Sequence, residues 1–229
     1  LSLARKGHSV TLIDQNNFHE YTPGLINLIR DRIKEEKLKL NLTDFLEDTP
    51  IDFKREKIMM INPEEKVVET NTGAHQYESL VVALGSEPQD FGMDISGLNS
   101  CYNYSEAKNL VEESENAEDA LIIGSGYVGV EIAADLKKKG LDVALVDEVT
   151  RPMPRANEKT SEKVLDYLNK NDISFRGGKR AVDVSENKVE LEGNEEISAD
   201  MVVWTTGIKC SEIVQRSFDC GDQGLEVNS

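Results

Sequence analysis

Short runs of apolar residues, each bounded by turn-forming residues, recur along the chain. Residues 80–83, 120–123 and 201–204 are continuous apolar runs, a pattern typical of strands buried on both faces of a parallel sheet. Residues 65–70 and 187–191 instead run into turns that contain Gly and Asn, and we expect β-hairpins there that lead into the runs at 80 and 201. The pattern predicts an α/β protein.

The predicted elements occur twice, in the same order. Five positions recur at one constant offset, as Leu3 and Leu136, Gly7 and Gly140, Val10 and Val143, Leu12 and Leu145, and Asp14 and Asp147. In each copy a helix ends at a glycine, and a short strand follows that ends in an aspartate. This internal repeat predicts two tandem Rossmann-like, three-layer domains with β-hairpin or meander insertions.

The repeat also suggests domain boundaries. We expect a first domain over residues 1–95, a second over 96–208, and a return to the first domain over 209–229. By the offset, the N-terminal strand and glycine-rich loop of the first domain would precede residue 1. Between the repeats, residues 87–97 lack periodicity and are interpreted as a crossing linker. Further predicted elements are a helix over 105–115 capped by Ser105, a helix over 158–169 and a strand over 173–175.

A glycine motif follows the apolar run that ends at residue 123. Gly124, Gly126 and Gly129 form GxGxxG between that strand and a helix that runs to residue 139, and Asp147 follows roughly twenty residues on. In this setting the motif predicts a dinucleotide site, because the loop backbone and the helix N-terminus bind a pyrophosphate. The predicted contacts are Gly124, Ser125, Gly126, Tyr127, Val128 and Gly129. The alternative is a glycine-rich turn that binds nothing.

The two strand-end aspartates predict what is bound. Asp147 would accept hydrogen bonds from the adenosine ribose, whereas a 2′-phosphate would meet the charges of Asp147 and Glu148, so NADH is expected rather than NADPH. By symmetry, Asp14 would bind the ribose of a second adenine dinucleotide. Its alternative interpretation is a solvated strand-end residue.

Composition excludes some classes. The 229 residues carry a formal net charge of −17, which disfavours nucleic acid as a partner. No apolar run approaches the roughly 20 residues of a membrane helix. Three cysteines, Cys101, Cys210 and Cys220, are an odd number without CxxC spacing, which argues against a disulfide framework and a zinc site and favours a reducing cytosol.

These residues resemble the FAD-dependent pyridine nucleotide oxidoreductases, and within them the type II NADH dehydrogenases. The resemblance lies in Asp14 with residues 17–19 and Pro23, and in residues 82–86, 124–131 and 202–207. It implies a first fold that binds FAD, a second that binds NADH, hydride transfer from NADH to FAD, and a quinone or other small electron acceptor. It further implies a cytoplasmic protein that contacts the inner face of the cell membrane through a C-terminal segment, and it allows a homodimer.

The resemblance also implies site residues. FAD contacts fall on Asp14, Gln15, Ile58, Ala83, Leu84 and Gly85, and Gly207 joins the predicted NAD contacts. Leu84 departs from the threonine usual in the family, which puts one hydroxyl contact in doubt. His19, Tyr21 and Pro23 fall near the expected flavin and are not interpreted as catalytic. Glu131 resembles a glutamate near the nicotinamide and is the catalytic candidate; the alternative is a favourable charge in the first turn of a helix.

Two alternatives stay open. Disulfide reductases on this scaffold carry a cysteine pair soon after the FAD-binding acid, whereas residues 14–52 contain no Cys. Sulfide:quinone oxidoreductases also use cysteines, although the three here do not fall where that class places them. A non-enzymatic NADH-binding flavoprotein sensor is the other alternative. With the first glycine loop upstream of residue 1, we expect residues 1–229 alone to bind FAD poorly.

Overall fold

The computed structural model describes residues 1–221 and 224–225, and the chain divides into two compact units. The first unit comprises Leu1–Tyr21, Lys39–Glu87 and Ile208–Ser229, and the second comprises Thr22–Leu38 and Pro88–Gly207. Residues 22–38, which the predicted 1–95 domain includes, are grouped with the second unit. The predicted boundaries at 95 and 208 stay a prediction, and residues 222–223 and 226–229 of the predicted last segment lie outside the described residues.

The first unit combines one parallel strand pair with short antiparallel sheets. Its elements are α1 (Ser2–Arg5), β1 (Val10–Asp14), β2 (Phe18–Glu20), β3 (Lys39–Asn41), α2 (Leu42–Leu46), β4 (Ile51–Arg55), β5 (Ile58–Asn62), β6 (Val67–Thr70), β7 (Ala74–Gln76), β8 (Ser86–Pro88, at the unit boundary), β16 (Ile208–Cys210), α6 (Glu212–Ser217), β17 (Cys220–Gly221) and β18 (Gly224–Leu225). β1 and β4 pair in parallel, and β5, β6 and β7 form an antiparallel sheet that contains the hairpin predicted near residue 70. The other pairs are β2 with β3, β8 with β16, and β17 with β18.

The buried strand predicted at residues 80–83 is wrong. No strand is assigned there, and the side chain of Val81 is 77% exposed. An apolar run becomes a central strand only where neighbouring strands satisfy its backbone groups. In the second repeat the equivalent run, Met201–Trp204, pairs in parallel with Asp119–Ile123. By the repeat offset, the counterpart of that partner would lie before residue 1, and residues 80–83 are not paired with any described strand.

The second unit has three layers. Its elements are two 3₁₀ helices (Thr22–Leu28 and Glu35–Lys37), α3 (Tyr104–Ser114), β9 (Asp119–Ile123), α4 (Tyr127–Lys139), β10 (Asp142–Asp147), α5 (Glu158–Lys170), β11 (Ile173–Gly177), β12 (Ala181–Ser185), β13 (Lys188–Leu191), β14 (Glu195–Ser198) and β15 (Met201–Trp204). The central sheet is parallel in the order β11-β10-β9-β15, and β12, β13 and β14 form an antiparallel sheet. The α/β fold class predicted from the sequence is confirmed.

Alternate residues of the central strands fill two separate cores. Ile122 of β9 belongs to a buried cluster with Leu136 of α4 and Leu168 of α5. Its neighbour Leu121 belongs to a second cluster with Trp204 and with Val189 of the antiparallel sheet. Because successive side chains of a strand point to opposite faces, helices cover one face of the central sheet and β12–β14 cover the other. The continuous apolar runs at 120 and 201 are therefore buried on both sides, as predicted.

The helix predicted over 105–115 is present, but its cap differs from the prediction. α3 begins at Tyr104, and Asn103 is the capping residue: its side-chain oxygen accepts a hydrogen bond from the Glu106 backbone N–H at 3.0 Å. Ser105, the predicted cap, lies inside the first turn. Both residues are good caps by type, so the pattern alone did not separate them.

Residues 22–38 are attached to α4 through a buried acid. The side chain of Asp135 on α4 is 5% exposed and is bonded to Arg32, while Arg30 lies 3.9 Å from it. The buried carboxylate is thereby neutralised from a segment about a hundred residues away in the chain.

The helices of the described chain are short, and α4 and α5, with 13 residues each, are the longest. Among residues 1–221 and 224–225, no helix has the length and apolar character to cross a membrane.

Candidate functional site

The glycine loop between β9 and α4 is packed tightly at two of its glycines and open at the third. A Cβ on Gly124, whose φ is +103°, would lie 2.8 Å from the carbonyl oxygen of Thr205. A Cβ on Gly129 would collide with the Gly124 carbonyl and lie 2.7 Å from Thr205 Oγ1. At Gly126, nothing lies within 4 Å of where a Cβ would be. Gly124 and Gly129 thus allow helix and strand to pack, and Gly126 presents an open backbone.

Asp147 holds this loop from the end of the neighbouring strand. Its Oδ2 accepts hydrogen bonds from the Ser125 backbone N–H at 2.6 Å and from the Ser125 hydroxyl at 2.7 Å, and its Oδ1 accepts from the Val149 N–H at 3.2 Å. Ser125 is fully buried, so these bonds satisfy polar groups that would otherwise be costly. A carboxylate has about four acceptor positions. Oδ1 therefore keeps one for a ligand hydroxyl.

The N-terminus of α4 opens onto the loop. Gly126 is its N-cap and supplies no side-chain cap, so the first N–H groups of the helix are not capped by it. Tyr127 and Val128, the first helical residues, are 56% and 47% exposed. An uncapped helix start with exposed first residues has the form that binds an anionic group such as a pyrophosphate.

Glu131 lies further along this helix than the sequence suggested. Because α4 begins at Tyr127 and includes Gly129, Glu131 is in the second turn, and the first turn contains no acidic residue. The alternative interpretation of Glu131 as a favourable first-turn charge is therefore wrong. Its side chain is exposed, and a place beside the nicotinamide stays a prediction.

The turn after β10 closes against the loop, a contact that the sequence did not reveal. The Met153 backbone N–H donates to the Ser125 carbonyl at 2.7 Å, with Met153 at a φ of +52°. Two residues earlier, Arg151 Nη1 is buried without a hydrogen-bond partner in the described part of the chain. A buried cationic donor that lacks an acceptor, in the turn that contacts the loop, is what an anionic ligand would satisfy. The only sequence signal was the proline-rich turn at 151–154, to which we assigned no role.

Thr205, at the end of β15, is a second residue that sequence reasoning did not single out. Its hydroxyl lies within hydrogen-bonding distance of the carbonyls of Ile123 (2.9 Å) and Gly124 (3.0 Å). Gly207, a predicted NAD contact, is exposed, and its carbonyl accepts from the Gln89 N–H at 3.0 Å and from the Tyr102 hydroxyl at 2.9 Å. Burial raises the pKa of Tyr102 to about 12, so its hydroxyl stays a donor.

The predicted FAD residues of the first unit fall into two groups. Asp14 ends β1, where its Oδ1 accepts from the Asn16 N–H at 2.8 Å, and the carbonyl of the exposed Gln15 accepts from Arg55 at 3.4 Å. Ile58, half-buried, starts β5 three residues after Arg55. The second group, residues 83–85, is in an irregular stretch with Leu84 half-buried and its two neighbours exposed. No hydrogen bond between described residues joins residues 83–85 to Asp14.

Comparison with known proteins identifies the family. The model of the pyridine nucleotide-disulphide oxidoreductase family matches residues 1–229. The chain belongs to this family. The match covers both repeats, as the predicted resemblance requires.

Relatives within and around this family cover the chain almost completely. A type II NADH:quinone oxidoreductase of Staphylococcus aureus is 24% identical over 95% of this chain and 62% of its own length. The water-forming NADH oxidase of Lactobacillus brevis, solved with NADH, superposes with a TM-score of 0.83 at 18% identity, over 96% of this chain and 53% of its own. The NDH2 of Plasmodium falciparum, also solved with NADH, gives 0.81 at 14%, over 92% and 52%. The chain thus spans about half to three fifths of these relatives, and the structural likeness shows the fold.

Proposed function

We propose that this chain is the nucleotide-binding part of an FAD-dependent NADH oxidoreductase. In this proposal the second unit binds NADH, the first unit binds FAD, and electrons pass to a quinone-like acceptor. The observation that carries it is the arrangement of Asp147 bonded to Ser125 beside the open backbone of Gly126. Membership of the pyridine nucleotide-disulphide oxidoreductase family supports the same conclusion.

The charges at the end of β10 favour NADH over NADPH. Asp147 offers its remaining Oδ1 position to a ribose hydroxyl. A 2′-phosphate placed there would face the carboxylates of Asp147 and of the exposed Glu148. Two like charges in contact cost affinity, whereas a hydrogen bond to a carboxylate contributes about 1.5–3 kcal/mol.

In the first unit, Asp14 is the residue proposed to bind the FAD ribose. It ends a parallel strand pair, β1 and β4, as Asp147 ends β10 beside β11. Gln15, Ile58 and residues 83–85 complete the proposed contacts. FAD, when bound, supplies the redox chemistry, and the protein aligns the donor with the acceptor.

The acceptor is proposed from the relatives. The Staphylococcus aureus relative is named as an NADH:quinone oxidoreductase. A quinone is therefore the proposed acceptor here, and contact with the inner face of a membrane and a homodimer are predictions of the same resemblance. Glu131 is the proposed residue near the nicotinamide.

Calorimetric titration of the 229-residue chain with NADH and with NADPH tests the nucleotide assignment. We expect NADH to bind more tightly, and Asp147→Ala to weaken NADH binding by about 10- to 100-fold, since it removes a charged hydrogen bond and loosens the loop. Asp142→Ala is the matched control, because Asp142 begins the same strand at the opposite edge of the sheet and is exposed. Equal or tighter binding of NADPH to the parent chain would overturn the role of Asp147.

A second experiment tests turnover. With FAD bound to the protein, NADH should bleach the flavin absorbance, and a soluble quinone should restore it in repeated cycles. A long-lived charge-transfer band without turnover would instead identify the NADH-binding sensor. Bleaching by sulfide rather than by NADH would identify the sulfide:quinone alternative.

A further inference from the structure

Two of the three cysteines lie side by side in the first unit. Cys210 is the last residue of β16 and Cys220 is the first residue of β17. Their Sγ atoms are 2.7 Å apart. Ten residues separate them in the chain, so the intervening α6 folds them together, and the sequence pattern gave no sign of this pairing.

The surroundings leave the pair accessible. Cys210 and Cys220 are both half-buried, so a small molecule can approach either sulfur. The backbone of Cys210 is fixed by α6, because the side-chain amide of Gln215 donates to the Cys210 carbonyl at 2.6 Å. A disulfide needs an S–S distance of about 2.05 Å, and two sulfurs already in contact reach it with a small rotation of side chains.

We propose that Cys210 and Cys220 form a reactive dithiol that is oxidised to an intramolecular disulfide by small-molecule disulfides. In the first step the thiolate of one cysteine attacks the small disulfide, which forms a mixed disulfide and releases one small thiol. In the second step the other cysteine attacks that mixed disulfide and releases a second small thiol. The pair loses two electrons and two protons, and the small disulfide is reduced to two thiols. The bond links β16 to β17 across α6.

The third cysteine supplies an internal comparison. Cys101 packs against the core of the second unit, and burial, followed by the charge of Glu106, raises its pKa to about 12. The hydrogen bond with Cys210, followed by burial, raises the pKa of Cys220 to about 11. Because the thiolate is the attacking form, both thiols react slowly at neutral pH, and only Cys220 has a neighbouring thiol to complete an exchange.

The experiment exposes the folded 229-residue chain to oxidised glutathione at about pH 8.5, where more thiolate is present. Mass spectrometry of the intact chain and of its peptides then reads the product. We expect a mass lower by two hydrogens, a peptide linking Cys210 to Cys220, and one remaining free thiol at Cys101. Fluorescence of Trp204, the single tryptophan, confirms that the chain stays folded during the reaction.

Two variants separate proximity from general reactivity. Cys101→Ser should form the same link at a rate within about twofold of the parent. Cys220→Ser should instead stop at a mixed disulfide with glutathione on Cys210, because no second thiol resolves it. A link from Cys101 to either partner, or three free thiols after prolonged exposure of the parent chain, would overturn the proposal.

Discussion

Asp14 and Asp147 occupy matching positions at the ends of β1 and β10. Each strand pairs in parallel with a partner, β1 with β4 and β10 with β11, and each aspartate is the last paired residue. Their carboxylates differ in what they bond. Asp147 accepts three hydrogen bonds, two of them from Ser125, whereas Asp14 accepts one from the adjacent Asn16 N–H.

The difference shows what a glycine loop adds to a strand end. In the second unit, the acid is fixed by a loop that is itself wedged against Thr205, so the acid, the loop and the helix start form one arrangement. In the first unit, the strand end is present and the acid is oriented only by its own turn. A strand-end aspartate becomes a preorganised binding group through its contacts with the loop.

The apolar runs before the two unit ends repeat the same contrast. Val202 in β15 is fully buried between two covered faces, whereas Val81, its counterpart in the repeat, is 77% exposed. Val202→Ala should therefore lower the free energy of unfolding by about 2–3 kcal/mol through lost packing, and Val81→Ala by less than about 0.5 kcal/mol. Urea unfolding followed by circular dichroism measures both. Equal losses would mean that residues 80–83 are packed like β15.

Gly129 and Gly126 separate packing from ligand access within the loop. Gly129→Ala should destabilise the second unit by about 2 kcal/mol, despite the helix preference for alanine, because its Cβ meets the Gly124 carbonyl and Thr205. Gly126→Ala should leave stability unchanged within about 0.5 kcal/mol. Urea unfolding followed by Trp204 fluorescence reads the second unit directly, because Trp204 is buried there. The same variants titrated with NADH sharpen the contrast, since Gly126→Ala should weaken binding without unfolding. A stable Gly129→Ala variant would contradict the close packing.

Removing each strand-end carboxylate tests the comparison itself. Asp147→Ala should lower the free energy of unfolding by about 1–2 kcal/mol, because the buried Ser125 N–H and hydroxyl lose their acceptor. Asp14→Ala should cost less than about 0.5 kcal/mol, since its one partner is in an exposed turn. Thermal unfolding of both variants measures the difference. The comparison fails if the two substitutions cost the same.

The smallest effect concerns pH in the first unit. Glu56, directly after β4, accepts hydrogen bonds from the Thr70 hydroxyl and His75 Nε2, both at 2.7 Å, and these lower its pKa from the usual 4.5 to about 2. A lowered folded-state pKa contributes stability that is present above about pH 4.5 and is lost as the pH falls towards 2.

Thr70→Val should raise the pKa of Glu56 towards 4.5 and move the onset of acid unfolding to higher pH. NMR titration of the carboxyl carbons measures the first effect. Thr11→Val, an exposed substitution in β1, is the control and should shift neither value. An unchanged Glu56 titration in Thr70→Val would show that this hydrogen bond does not set the pKa.

Local patterns predicted most of the second unit. The strand before Gly124, the helix to Lys139 and the hairpin near Gly193 are present because propensity, turn chemistry and burial agree there. The prediction at residues 80–83 was wrong because a central strand depends on its partners. The helix start at Tyr127 was missed because glycines were assigned to the loop, although Gly129 fits only inside the first turn.

Contacts between distant residues were beyond the sequence pattern. Nothing local indicates that Arg32 neutralises Asp135, that the Met153 N–H closes on Ser125, or that Cys210 meets Cys220. Each of these depends on how separate segments pack. The acid at residue 147 was predicted, whereas its three hydrogen bonds follow from the folded loop.

The central claim is that the loop held by Asp147 is where NADH binds. Backbone amide NMR signals of the isotope-labelled chain, recorded while NADH is added, test this residue by residue. We predict that the signals of Ser125, Gly126 and Val149 shift in proportion to occupancy, while that of Asn16 stays in place. Shifts confined to other residues, with those three amides unmoved at saturation, would contradict the account.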